Sequence, residues 1–257
     1  MKSVRWLAPL AAAALMTAAA SAQAPQAMPQ QPAQTPTIQQ QNEQIILELR
    51  TIRMMLERLM NPPQPPQPPT RARVTSVSGY ALGREDAPLT MVEFTDLQCP
   101  FCREFALTSF DAIKKNWIDT GKLRYISRDF PLDIHAQAMP AARAARCAGE
   151  QGKFWEMRMT LMRNANLLTP EYIARAASDL KLNDTAFGPC ARSTKYDAQI
   201  QAEMQEGTRL NIPGTPMFVL GRTTPGADVI EGPVLIGALP YTTFDAKLRE
   251  VLGSATK

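Results

Sequence analysis

The chain contains four cysteines and a single histidine. Two of the cysteines are spaced as Cys99-Pro100-Phe101-Cys102. A pair two residues apart at the start of a helix supports thiol–disulfide exchange. The first sulfur meets the free N–H groups and positive end of the helix dipole, which favour its thiolate. The second sulfur, one turn in, can close a small ring and resolve a mixed disulfide. Pro100 suits the first helical position, where no N–H is needed. Phe101 offers the sulfur no hydrogen bond, so a milder lowering of the thiol pKa is expected than a histidine there would give. The other chemistry of such a pair is half a zinc site. That needs two more ligands, and Cys147 and Cys190 lie 45 and 88 residues beyond Cys102 without forming a second close pair.

Two further features fit a dithiol. Glu93 lies six residues before Cys99 in the apolar run Leu89-Thr90-Met91-Val92-Glu93-Phe94. Buried beneath the dithiol, its carboxylate could take and return the proton of the resolving thiol; the alternative is an outward-facing strand residue. Gly214-Thr215-Pro216 precedes the apolar run Met217-Phe218-Val219, a setting for a cis bond at Thr215–Pro216. Pro216 would pack flat against the dithiol and leave the backbone of Thr215 to pair with a bound peptide. Pro100 and Phe101 would line the same surface.

These residues need a scaffold, and the pattern supplies one. Leu89–Phe94 reads as a buried strand, followed by a helix from Cys99 to about Thr120 ending at Gly121. Leu123–Ser127 reads as a second strand, and residues 135–209 as helical. Thr169-Pro170-Glu171 is a helix-start signal within that block. Pro216–Leu220 and Val234–Ile236 return to strand, and Tyr241–Leu252 closes as a helix. The fold class is therefore α/β, with a helical insertion over about 133–209 in a domain spanning 74–257. Cys147 and Cys190 both fall in the insertion. They read as a structural disulfide closing a loop of 43 steps, or as two separate buried thiols. His135 reads as a surface or capping residue at the start of the first insertion helix.

The N-terminal third has a different character. Lys2 and Arg5 precede an apolar run from Trp6 to Ala20, then Ala20-Ser21-Ala22, the pattern of a signal peptide cleaved after residue 22. The run of about 15 residues is short of the roughly 20 that span a bilayer. Export would place the chain in the periplasm, an oxidising compartment. Residues 23–37 read as disordered linker. Over residues 38–60, Ile38, Ile45, Ile52 and Leu59 take d positions and Asn42, Leu49 and Leu56 take a positions of a heptad repeat. Leu at a with Ile at d favours three or four strands, so a homotrimer is expected, else a tetramer. The alternative is an amphipathic helix lying on its own globular domain. Residues 61–73 are proline-rich and read as a polyproline strut of roughly 30 Å.

Net charge is +4, and removal of Lys2 and Arg5 leaves 26 cations against 24 anions. This near balance excludes a strongly basic nucleic-acid binder. One histidine excludes His-rich metal sites and argues against a Ser-His-Asp triad.

The run Val92-Glu93-Phe94-Thr95-Asp96-Leu97-Gln98-Cys99-Pro100-Phe101-Cys102 has three companions: Arg128-Asp129-Phe130-Pro131-Leu132, Gly152-Lys153-Phe154-Trp155-Glu156 and Gly214-Thr215-Pro216. Together they resemble the DsbA-like thiol–disulfide oxidoreductases, and within them the branch of ScsC-type suppressor-of-copper-sensitivity proteins. The resemblance covers roughly residues 74–252. It implies a thioredoxin fold with an inserted helical domain, a nucleophile at Cys99, a resolving Cys102, an acid at Glu93 and a cis-proline at Pro216. Phe101 departs from the Pro-His dipeptide of many members. Thr215 before the cis-proline is similar to the disulfide isomerases of that superfamily, and some ScsC-type proteins carry an N-terminal oligomerising segment. The implied partners are unfolded or misoxidised exported proteins and a membrane redox partner. No cofactor or resident metal is expected. The reading leans to isomerase or reductase; a DsbA-type oxidase is the alternative, and a protein binding Cu(I) through the two thiolates a further one.

Overall fold

The computed structural model describes residues 36–60, 68–75, 79–224 and 226–254. The expected signal peptide, nearly all of the 23–37 linker and residues 61–67 of the proline-rich strut lie outside them. The chain divides into two compact units, residues 1–64 and 65–257.

The first unit contains one helix, α1 (Ile38–Met60). Its start is a capping box. Thr37 Oγ1 accepts the N–H of Gln40 at 3.3 Å, and Gln40 Oε1 accepts that of Thr37 at 2.9 Å. No residue of α1 is buried, and the seam residues Ile45, Leu49, Ile52 and Leu56 are all more than half exposed. Arg53 pairs with Glu57 one turn along its own helix.

The second unit is built on a six-stranded sheet in the order β1-β6-β5-β3-β4-β2. The strands are β1 (Arg71–Val74), β2 (Tyr80–Leu82), β3 (Leu89–Thr95), β4 (Leu123–Asp129), β5 (Met217–Arg222) and β6 (Ile230–Ile236). β3 and β4 are parallel, and every other pairing is antiparallel. All seven residues of β3 are buried, because helices cover both faces of the sheet. Alternation along β3 sorts its side chains. Leu89 and Met91 join Phe105, Phe110, Tyr125, Phe218 and Phe244 in one cluster. Val92 and Phe94 join Ile126, Phe130, Met217 and Val219 on the other face.

The connection from β3 to β4 begins with α2 (Pro100–Thr108). The sequence pattern implies one helix to about Thr120, but the chain breaks at Ser109. There the Ser109 hydroxyl donates to the carbonyl of Leu239 at 2.8 Å. A short α3 (Phe110–Ile113) follows and widens into a π turn over Lys114–Ile118. The wider turn buries both Trp117 and Ile118. Gly121, at φ +72°, ends the segment as expected. The insertion comprises α4 (Ala138–Gly149), α5 (Phe154–Arg163), a 3₁₀ turn (Ala165–Leu167), α6 (Pro170–Asp179), α7 (Asp184–Arg192) and α8 (Asp197–Arg209). Thr169 caps α6 by accepting the N–H of Tyr172, as its sequence signal implies. α9 (Tyr241–Gly253) returns to the sheet. β1 is a correction to the expected boundary: the sheet begins at Arg71, inside the stretch read as linker to residue 73. Ala72 and Val74 point inward and Arg71 and Arg73 outward, an alternation too short to register beside the prolines.

Buried charges fasten the insertion to the sheet. Arg146 of α4 bonds Asp129 of β4 at 2.6 Å and Glu203 of α8 at 2.7 Å, and Arg128 of β4 pairs with Glu206 of α8. Burial and the neighbouring Asp129 push Glu203 up to about 7. Gly207 of α8 admits the Phe130 ring, since a Cβ there would lie 2.5 Å from a ring carbon. Cys147 of α4 and Cys190 of α7 are joined by a disulfide, 43 residues apart in sequence. Loop-closure entropy for that span sets the expected effect of the Cys147→Ala/Cys190→Ala double variant: a loss of up to about 4 kcal/mol in denaturant unfolding. An unchanged unfolding midpoint would remove the disulfide from the stability of the insertion.

Candidate active site

Cys99 is the N-cap residue of α2 and Pro100 its first helical residue. The strand-to-helix junction thus aims the Cys99 sulfur at the unsatisfied amides of the first turn. Both thiols are free and buried. They pack in a cluster that includes Leu97, Ala106 and the insertion residues Ala141, Ala145, Met157 and Leu161. The dithiol therefore lies where the sheet's first helix meets the insertion.

The Thr215–Pro216 bond is cis, and the Cys99 thiol donates to the carbonyl of Thr215 at 3.4 Å. The Thr215 hydroxyl is buried without a hydrogen-bond partner beside the neutral thiol. It is a donor in reserve that favours the thiolate. Cys99 is lowered to about 6. The hydrogen bond from the Cys102 thiol is the chief cause; Thr215 and the N–H groups of Cys102 and Phe101 add to it, and burial opposes them. Cys102 is pushed well above the ordinary thiol range. Burial is the main cause, followed by the bond it gives to Cys99 and by the charge of Glu93. The N–H of Asp96, at 3.4 Å from the Cys102 sulfur, pulls the other way. The two thiols are thus separated into an ionisable nucleophile and a protected partner.

Glu93 is completely buried and does not face solvent. It points to the same face of β3 as Met91, beneath α2. One oxygen, Oε2, accepts from the Tyr125 hydroxyl and from Arg158. The other, Oε1, is buried and accepts from no protein group, so it is open to a proton. Burial and the Glu93 charge hold the Tyr125 phenol well above its usual range, which keeps it a donor. Arg158 is only 1% exposed and lies 5.5 Å from the Trp155 ring and 5.6 Å from the Phe110 ring.

A thioredoxin family model, Thioredoxin_4, matches residues 75–227. The chain belongs to the thioredoxin family. Among solved structures it is similar to α-DsbA1 of Wolbachia pipientis, at 24% identity and TM-score 0.58, covering 67% of this chain and 90% of that one. It is similar also to BdbD of Bacillus subtilis in its oxidised form, at 22% identity and TM-score 0.57, covering 70% and 99%. These likenesses establish a DsbA-like thioredoxin fold with a helical insertion. Among curated proteins, the chain is 33% identical over 172 residues to a Na(+)/H(+) antiporter NhaA 3 of Salinispora tropica. That match takes in 66% of this chain but 26% of the antiporter, so the chain spans about a quarter of such relatives. No helix among the described residues is long and apolar enough to cross a membrane.

In this thioredoxin-family site the structure brings together Cys99, Cys102, Glu93, Thr215 and Pro216. Pro100 and Phe101 stand at its surface, with Phe101 59% exposed. Sequence reasoning missed Arg158 and Tyr125. Arg158 carried a signal: it sits on the apolar stripe of Phe154, Met157 and Leu161, where a cation needs a buried counter-ion. His135 departs from its expected place. It precedes α4 by three residues and bonds the buried Asp96 through Nδ1 at 2.7 Å. The chain's other cysteines, with Glu150, bring three ligand-type atoms within 4.8 Å, but their sulfurs are spent on the disulfide and carry no thiolate charge.

The asymmetry of the dithiol sets an alkylation pattern. Iodoacetamide should modify Cys99 with a pH midpoint near 6, slowing as pH falls below it and the thiolate is protonated. Cys102 should stay unmodified up to at least about pH 9, the ordinary thiol range. Peptide mapping of the alkylated protein checks both; modification of Cys102 first would reverse the assignment.

Proposed function

We propose that the protein is an exported thiol–disulfide oxidoreductase acting on protein substrates through Cys99 and Cys102. The observation that carries this reading is the division of the pair. A thiolate-prone sulfur caps a helix against the cis-proline loop, while its partner is buried next to Glu93. Cys99 thiolate attacks a substrate disulfide, forms a mixed disulfide and releases one substrate thiolate. Cys102 then gives its proton to Glu93 and attacks the Cys99 sulfur. The second substrate sulfur leaves, and the enzyme holds the disulfide. Run backwards, the same steps oxidise a substrate dithiol. Arg158 and Tyr125 position Glu93 for the proton.

Unfolded or misoxidised chains suit the surface around Cys99. In the globular unit the exposed large apolar residues among those described are Phe101, Leu107, Ile134 and Leu167. Phe101 and Leu107 belong to α2, and the 3₁₀ turn holding Leu167 packs against α2. The heptad seam of α1 and Thr215 before Pro216 lean the reading toward an ScsC-like isomerase or reductase, kept reduced by a membrane redox partner. Residues 1–22 support export to the periplasm.

The exposed seam of α1 supports a parallel homotrimer, with a tetramer next. Several dithiols tethered in one assembly raise the effective concentration at a misfolded chain and favour isomerisation.

Two experiments test this reading. The Cys102→Ala variant should accumulate mixed disulfides through Cys99, seen as reducible adducts on non-reducing gels, whereas Cys99→Ala should trap none. Equal trapping by both variants would refute the assigned roles. A chain beginning at Pro65 should be monomeric by light scattering, keep insulin reduction and lose most isomerase activity on scrambled substrate. A monomeric parent, beginning at residue 23, would refute the coiled coil. Unchanged isomerase activity after truncation would separate it from catalysis.

A further inference from the structure

The only histidine of the chain is tied to the active-site turn in a way the exchange mechanism above does not use. Asp96 lies three residues before Cys99 and its side chain is fully buried. A buried carboxylate needs several donors, and this one has three. Its Oδ1 accepts the N–H of Gln98 at 2.7 Å. Its Oδ2 accepts the N–H of Leu132 at 2.9 Å and the His135 Nδ1 at 2.7 Å. Two of the three donors come from the 130–137 loop that leads into the insertion. A fourth bond joins the same two segments, from the N–H of Gln137 to Gln98 Oε1 at 2.7 Å.

The backbone of Asp96 faces the dithiol. Its carbonyl accepts the N–H of Cys99 at 3.1 Å, and its own N–H donates to the Cys102 sulfur at 3.4 Å. The side chain of Asp96 is thus anchored to the loop while its main chain holds both cysteines. His135 is the one side-chain donor in that anchor, and 19% of its side chain is exposed.

We propose that His135 is a positioning residue for the dithiol. It fixes the Asp96 carboxylate, and through it the Asp96 N–H that stabilises the reduced sulfur of Cys102. In the reduced pair the Cys102 thiol donates toward Cys99, which leaves its sulfur partly negative and a better acceptor for an N–H than a sulfur of the disulfide, which donates nothing. The clamp therefore favours the reduced pair, and loosening it favours the Cys99–Cys102 disulfide. The proposal rests on the exchange reading above.

The test is the equilibrium of the full chain with glutathione: the reduced dithiol plus one oxidised glutathione gives the Cys99–Cys102 disulfide plus two reduced glutathiones. The oxidised fraction is read by alkylation and mass. His135→Phe keeps the ring and removes the donor. It should shift the equilibrium constant toward the enzyme disulfide by about 3- to 10-fold, the size of one lost hydrogen bond. His135→Asn, whose Nδ2 can stand where Nδ1 stood, should return within about twofold of the parent, the spread of hydrogen-bond contributions. A constant unchanged in His135→Phe overturns the proposal, and so does the same shift in Phe and Asn. His135→Ala replaces Phe if that variant does not fold, and loss of fold in both assigns His135 to the scaffold and overturns it as well. A parent that never equilibrates with glutathione refutes the exchange reading instead. A parent that equilibrates beside unaltered variants refutes only the role of His135.

Discussion

A carboxylate in the middle of an apolar sheet constrains the rest of this fold. Glu93 lies on the central strand, buried like its flanking residues. Left alone, its charge would cost several kcal/mol in desolvation. Arg158 faces it from α5 of the insertion, and Tyr125 supplies a second donor from the next strand. The pair need contribute little net stability, since burying two charges offsets most of their attraction. Its consequence is geometric. Breaking it would leave an uncompensated buried charge, at a cost of about 3–5 kcal/mol. The insertion is therefore held at the one place where it can roof the dithiol.

The same charge divides the two thiols. Cys102 is buried beside Glu93 and resists ionisation. Cys99, one turn earlier, has its thiolate favoured by the Cys102 thiol, the Thr215 hydroxyl and the first amides of α2. Neither effect comes from the cysteines themselves. Both follow from one sulfur capping a helix and the other lying over a carboxylate. A dithiol with matched sulfurs would lack a preferred point of attack, whereas here the order of events is built into the electrostatics.

Further buried polar contacts complete the attachment, with Asp129 on the Glu93 face of the sheet and Arg128 on the other. Arg146 bridges Asp129 and Glu203, Arg128 pairs with Glu206, and Thr75 also bonds Glu206, at 2.7 Å through its N–H. These join β4, α4, α8 and the end of β1. The insertion is thus fastened on both faces of β3 by buried charges. The turn that carries Asp96 and Gln98 is fastened at its entry.

The amino-acid sequence by itself determined the local elements and the chemistry they could carry. Heptad spacing and the Thr37–Gln40 box define α1, the apolar run defines β3, and Cys99-Pro100 fixes a helix start. These are decided by neighbours a few residues apart. The run Leu89–Phe94 did not tell whether Glu93 faced inward or outward, because a strand buried on both faces shows no alternation. Only tertiary packing placed Arg158 beneath it, 65 residues away in sequence. Four-residue β1 and three-residue β2 escaped notice because edge pairing with distant β6 and β4, not local pattern, makes them strands. The break at Ser109 answers to Leu239, 130 residues later. His135 read as a surface group because nothing within a turn of it announces Asp96, 39 residues upstream. Periodicity and caps act over one turn or one pleat and are written in the sequence. The partners of buried charges are chosen by the fold, since any segment of the chain can supply a counter-ion once packing brings it near.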